Sequence, residues 1–252
     1  MSVDDFAGAG NRREAAPGGV PLPLPEVVGG IALWWVALDA PQGGLDRFAE
    51  SLSEAEHLRA ARFGTELLRA RYVVGRSVLR RLLGALLDVD PHAVPIRRGT
   101  RGRPELAGIP AIDFNVSHTQ GCALVGIAHA IATGARIGVD VERADRDVGA
   151  DRLARKFLTA GEAATLAPLA PDARRQRFLR QWTCKEAMSK ATGDGLAAPF
   201  RHHEVQTDDG LRLVDGPPPY LPAEWALHAV PVPAGHLATL AIWKHDRHGF
   251  AR

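Results

Sequence analysis

From 31 to 40 the chain reads IALWWVALDA, an apolar and partly β-branched run that predicts a first strand. LSEAEHLRAARF (52–63) has Ser53 followed three residues later by Glu56, the form of a helix-opening capping box. The spacing of Leu68, Tyr72, Leu79, Leu82 and Leu83 predicts a longer helix over 65–86, with those residues as its buried stripe. VDPHAVPIRRGTRGRPEL is broken by Pro and Gly and reads as loop with a short strand at 94–97. IDFNVSH (112–118) and CALVGIAHA (122–130) predict two strands across a short turn. RIGVDVE (136–142) predicts another, followed by helices at 150–157, 160–167 and 171–191. EVQTDDGLRLV (204–214) predicts a hairpin about Asp208-Asp209-Gly210, and WALHAVPVP (225–233) and LATLAIWK (237–244) the closing strands.

The order of strand, helical material and strands occurs twice. It predicts two similar α+β halves, 29–134 and 135–252, behind a flexible leader at 1–28. Hydrophobic content of 46% with 24% charged residues is globular, and 252 residues are enough to bury real cores. With 31 basic against 29 acidic residues, the net charge of +2 gives no footing for a dedicated nucleic-acid binder. The N-terminal stretch lacks the apolar core of a signal peptide, and no run approaches the roughly 20 apolar residues of a membrane span. Cys122 and Cys184 lack metal-site spacing and read as free thiols in a reducing compartment, so the expected location is the cytoplasm, with no membrane partner.

Four stretches carry candidate chemistry. In GVDVE (138–142), strand alternation puts Ile137, Val139 and Val141 on one face and Asp140 and Glu142 on the other. Two carboxylates two residues apart can share one hard cation such as Mg²⁺; a solvated strand face explains them equally well. In FLRQWTCKEAMSKATGDGL (178–196), Phe178, Trp182, Glu186 and Lys190 fall on one helical face, with Lys185 beside Glu186. The aromatics imply packing there, which leaves the charges at a cleft edge, although a surface ion pair has the same spacing. FNVSH (114–118) offers Asn, Ser and His donors to phosphate oxygens, or an ordinary turn; without a GxSxG elbow, Ser117 is no candidate nucleophile. Arginines at 59, 62, 69, 71 and 76 and in RRGTRGRP (97–104) supply forks suited to phosphate.

Taken together, GRP, FNVSH, GVDVE and WTCKEAMSKATGDGL, in that order, resemble the motifs of the 4′-phosphopantetheinyl transferases of the larger, surfactin-synthetase-activating type. The resemblance implies a monomeric pseudo-dimer of two α+β halves, each an antiparallel sheet packed on helices, with coenzyme A bound between them. It makes Asp140, Glu142 and Glu186 the ligands of Mg²⁺, for which Mn²⁺ can substitute. Lys190 would stand near the pyrophosphate, and Ser117 and His118 would hold phosphates of coenzyme A. Arg103 takes the place of a lysine, and Arg59 and Arg71 fall at basic positions that meet the 3′-phosphate. Glu56 departs from the pattern, since some relatives have lysine there.

The implied reaction moves the 4′-phosphopantetheine arm to a serine of an acyl or peptidyl carrier protein and releases 3′,5′-adenosine bisphosphate. Glu186, or a metal-bound water acting through it, is the expected route for the serine proton, with Lys185 as an orienting neighbour. Two other classes stand as alternatives, the second disfavoured because none of the matched carboxylates or lysines is missing. A different metal-dependent phosphotransferase or pyrophosphatase would act without a carrier protein, and a non-enzymatic coenzyme A-binding module would have lost a carboxylate or lysine.

Overall fold

The computed structural model describes residues 18–39, 44–99, 101–129, 134–147 and 149–244. The first half contains β1 (Pro21–Pro23), β2 (Ile31–Ala37), α1 (Leu45–Ala49), α2 (Glu54–Ala60), α3 (Glu66–Leu87), β3 (Ile96–Arg98), β4 (Pro104–Leu106), β5 (Ile112–Thr119) and β6 (Cys122–His129). The second contains β7 (Arg136–Arg143), α4 (Ala150–Phe157), α5 (Ala160–Leu166), α6 (Pro171–Thr192), β8 (Glu204–Gln206), β9 (Arg212–Asp215), β10 (Trp225–Ala229) and β11 (His236–Trp243).

Each half supplies one main antiparallel sheet, ordered β1-β2-β6-β5 and β10-β11-β7. The sheets pack face to face over a shared core in which Ile31, Leu33, Trp35 and Leu124 meet Ile137, Val139, Val141 and Leu240. Helix α3 covers the outer face of the first sheet through Val74, Val78, Leu79 and Leu83. Helix α6 covers the outer face of the second through Cys184, Ala187, Met188 and Ala191. The result is the expected α+β class, two antiparallel sheets packed on helices in a two-lobed, pseudo-symmetric arrangement.

Three expectations need correction. The last part of the expected flexible leader is ordered: β1 pairs with β2, and Leu22, Leu24, Val27 and Val28 pack on the shared core, while residues 1–17 lie outside the described residues. In α3 the buried stripe is shifted, because Leu68 is exposed while Val73, Val74 and Val78 are buried. The loop after α3 closes as a hairpin of β3 and β4, which its Pro and Gly content concealed. The capping box does form, with Ser53 and Glu56 closing the start of α2.

Candidate active site

Strand β7 has two unlike faces. Ile137, Val139 and Val141 face the first half, while Gly138, Asp140 and Glu142 face α6 of their own half. The closeness of helix and strand follows from Gly138. A Cβ there would overlap the Ala187 carbonyl oxygen and lie 2.7 Å from the Ala191 amide nitrogen. Phe178 and Trp182 anchor the first turns of that helix face, Trp182 against Phe157 (4.9 Å) and Phe200 (5.7 Å). The next turns bring Glu186 and Lys190 to β7, and Gly193 ends the helix in the left-handed conformation (φ 84°).

Lys190 Nζ donates to Asp140 Oδ1 (2.6 Å) and to Ser117 Oγ (2.7 Å), and Ser117 Oγ donates to Asp140 Oδ1 (2.8 Å). Asp140 Oδ2 and Glu186 Oε1 are both buried without a hydrogen-bond partner. Burial first, then the Asp140 and Glu142 carboxylates, push Glu186 up to about 7 against the pull of Lys190. Glu142 is also raised, by burial and then by Asp140; its carboxylate is paired with Arg146 and accepts from Thr119 Oγ1 at 3.4 Å. Among the described residues no three His, Cys, Asp or Glu side chains are arranged to hold a metal ion.

A cleft of about 620 Å³ opens between the halves, with Arg59, Arg76, Arg98, Arg101, His118 and Lys190 on its walls. A second hollow of about 760 Å³ shares Arg59, Tyr72 and His118 with it and is lined by Arg71, Glu142 and Arg146. Arg71 forms a fork with Asp39 (2.7 and 3.2 Å), and Arg59 lies over the Tyr72 ring (5.5 Å). His118 is exposed on the cleft wall, and its surroundings, desolvation first and then Lys190 and Arg76, draw its pKa below the ordinary value. Glu56, which departs from the expected pattern, pairs with Arg76 and Arg80; burial opposes its charge, but Arg76, the Ser53 amide and Arg80 hold its pKa below the ordinary value.

Three expected roles change. Lys185 is fully buried and turned away from the cleft, with its three donors on Glu162 (2.9 Å) and the carbonyls of Phe200 and His203 (2.6 Å each), so it is no orienting partner for Glu186. Arg103 commits its guanidinium to Asp113 (2.8 and 2.7 Å) and to the carbonyls of Lys190, Pro104 and Ile137, which leaves no free fork for phosphate. The Ser117 hydroxyl is occupied by Asp140, Lys190 and the Val141 amide. The sequence pattern assigned nothing to Asp113 or Gly138 and offered Asn115 as a phosphate donor, whereas Asn115 Oδ1 accepts from the Val139 amide; the polar alternation of Asp113, Asn115, Ser117 and Thr119 was the available signal.

Lys190, paired with Asp140, stands on the wall of an arginine-lined cleft, an arrangement suited to phosphate-bearing ligands. A family model described as the 4′-phosphopantetheinyl transferase superfamily matches residues 136–229, and one described as 4′-phosphopantetheinyl transferase, N-terminal, matches 41–130. The 4′-phosphopantetheinyl transferase HetI of Nostoc sp. is 37% identical over 170 residues, covering 66% of this chain and 70% of that protein. The Synechocystis sp. protein slr0495 is 29% identical over 229 residues (88% of this chain, 86% of that one). A 4′-phosphopantetheinyl transferase of Bacillus subtilis is 25% identical over 195 residues (75% and 84%). The chain belongs to the 4′-phosphopantetheinyl transferase superfamily, enzymes that transfer phosphopantetheine from coenzyme A to a serine of a carrier protein.

Proposed function

We propose that this chain carries out that transfer in the manner of the surfactin-synthetase-activating type, on an acyl or peptidyl carrier protein in the cytoplasm, releasing 3′,5′-adenosine bisphosphate. One observation carries the reading: Asp140, Glu186 and Lys190 converge beneath a cleft walled by arginines from the other half. The unpartnered buried oxygens of Asp140 and Glu186 fit a divalent cation, and Glu142 would complete the set once released from Arg146. Mg²⁺ bound there supplies charge neutralisation at the pyrophosphate.

The protein's own residues account for the other requirements. Arg59 and His118 meet the anionic groups of coenzyme A, and Arg71 and Arg76 join them on releasing Asp39 and Glu56. Lys190 meets the negative charge that grows on the leaving phosphate in the transition state. Glu186, directly or through a water, is the group placed to receive the proton of the attacking serine.

Mass spectrometry of apo carrier proteins incubated with coenzyme A and Mg²⁺ tests the reading. A carrier that gains the mass of the arm supports it. Hydrolysis of a pyrophosphate substrate with no carrier modified would move the chain to another phosphotransferase class.

A further inference from the structure

Strands β5 and β7 are neighbouring edge strands of different sheets, yet no backbone ladder joins them. Side chains of β5 take its place. The Ile137 amide donates to Asp113 Oδ2 (2.7 Å), the Val139 amide to Asn115 Oδ1 (3.1 Å) and the Val141 amide to Ser117 Oγ (3.2 Å). These three amides alternate with Gly138, Asp140 and Glu142 along β7. In an antiparallel edge strand every second N–H points away from its partner, and here that free set is capped by a row of polar side chains two residues apart. Arg103 braces the Asp113 rung, and Lys190 and Asp140 complete the Ser117 rung. The Asn115 rung lies between them, with a buried side chain.

We propose that Asn115 is a positioning residue of the transfer reaction: by holding the Val139 amide it fixes the segment of β7 from which Asp140 and Glu142 project towards Glu186. The inference rests on the proposed function. Asn115 acts on the reacting groups only through the strand. A shift of the backbone at 139 moves Gly138 and Asp140 together, and Gly138 has no spare room against α6. Supports of this kind are worth about 10–100-fold in metal affinity or activity.

The test compares Asn115→Leu, which keeps the approximate volume but has no acceptor, with Asn115→Asp, which keeps an acceptor oxygen as Asp113 does. Expected for Asn115→Leu are a kcat lower by about 10–100-fold, a KM for coenzyme A within about twofold, and Mn²⁺ affinity, read by electron paramagnetic resonance, weakened alongside kcat. Asn115→Asp restores most of both. If Asn115→Leu does not fold, Asn115→Ala, which also lacks the acceptor, is measured in its place. A variant lacking the acceptor that unfolds more easily in urea, yet binds Mn²⁺ and turns over like wild type once folded, overturns the proposal, as does a wild type that binds no Mn²⁺. Failure of the wild type to modify any carrier removes the underlying function, while the Mn²⁺ comparison still decides the role of Asn115.

Discussion

Gly138 of β7 lies directly against Ala187 of α6, so close that a side chain of any size at 138 would overlap the backbone of the helix. This contact ties together the strand that carries Asp140 and the helix that carries Glu186. Both neighbours are backbone atoms and cannot rotate aside. Gly138→Ala therefore costs at least the 1–3 kcal/mol typical of overpacking, to about that precision, and separates the carboxylates. Urea unfolding together with carrier modification checks this; a stable, fully active variant would show that helix and strand adjust freely.

Lys185 and Glu162 form a buried pair in which every Lys185 donor is used and Glu162 also accepts from the Thr159 and Val205 amides. Burial draws the ammonium's pKa down and pushes the carboxyl's up. Removing one partner strands the other, so Lys185→Met should lose about 3–5 kcal/mol of stability. The double variant Lys185→Met with Glu162→Gln should recover part of it. If Lys185→Met keeps its urea midpoint but loses kcat, the lysine acts in catalysis after all.

His203 is fully buried, its Nδ1 hydrogen-bonds the Pro199 carbonyl (3.0 Å), and its ring stacks on Tyr220 (4.4 Å). A carbonyl only accepts, so Nδ1 bears the proton and Nε2, unpartnered, is the site a second proton would take. Burial, then the Lys185 ammonium, push its pKa down to about 3 from an ordinary 6.5. A folded-state value below the unfolded one means this contribution is complete above about pH 6.5. It is lost as pH falls toward about 3, by about 1.4 kcal/mol per pH unit. His203→Asn should be less stable at pH 7 but show a flatter decline in urea midpoint between pH 6.5 and 4. Equal slopes for the two proteins would assign acid sensitivity to other groups.

Asp140→Asn removes one carboxylate charge while keeping the side chain's shape and its contacts with Ser117 and Lys190. Mn²⁺ affinity should fall by about tenfold or more and transfer should fall with it, at nearly unchanged thermal stability. Unaltered Mn²⁺ binding by the folded variant would take Asp140 out of the metal site.

What was local in the chain was legible in its sequence. Helix α4 lies where periodicity placed it, Ser53 and Glu56 form their capping box, and Phe178, Trp182, Glu186 and Lys190 do share a face. Strand alternation likewise separated Asp140 and Glu142 from Val139 and Val141 correctly, because side-chain direction in a strand depends only on its own backbone. What lies opposite each face depends on parts of the chain far apart in sequence. Only the tertiary structure put α6 across from the carboxylates, turned Lys185 inward to Glu162, drew Arg103 onto Asp113 and set Asp113, Asn115 and Ser117 against the edge of β7. A lysine or arginine looks the same in sequence whether its charge meets a substrate or a buried carboxylate, since its partner is chosen by packing between elements rather than by its neighbours along the chain.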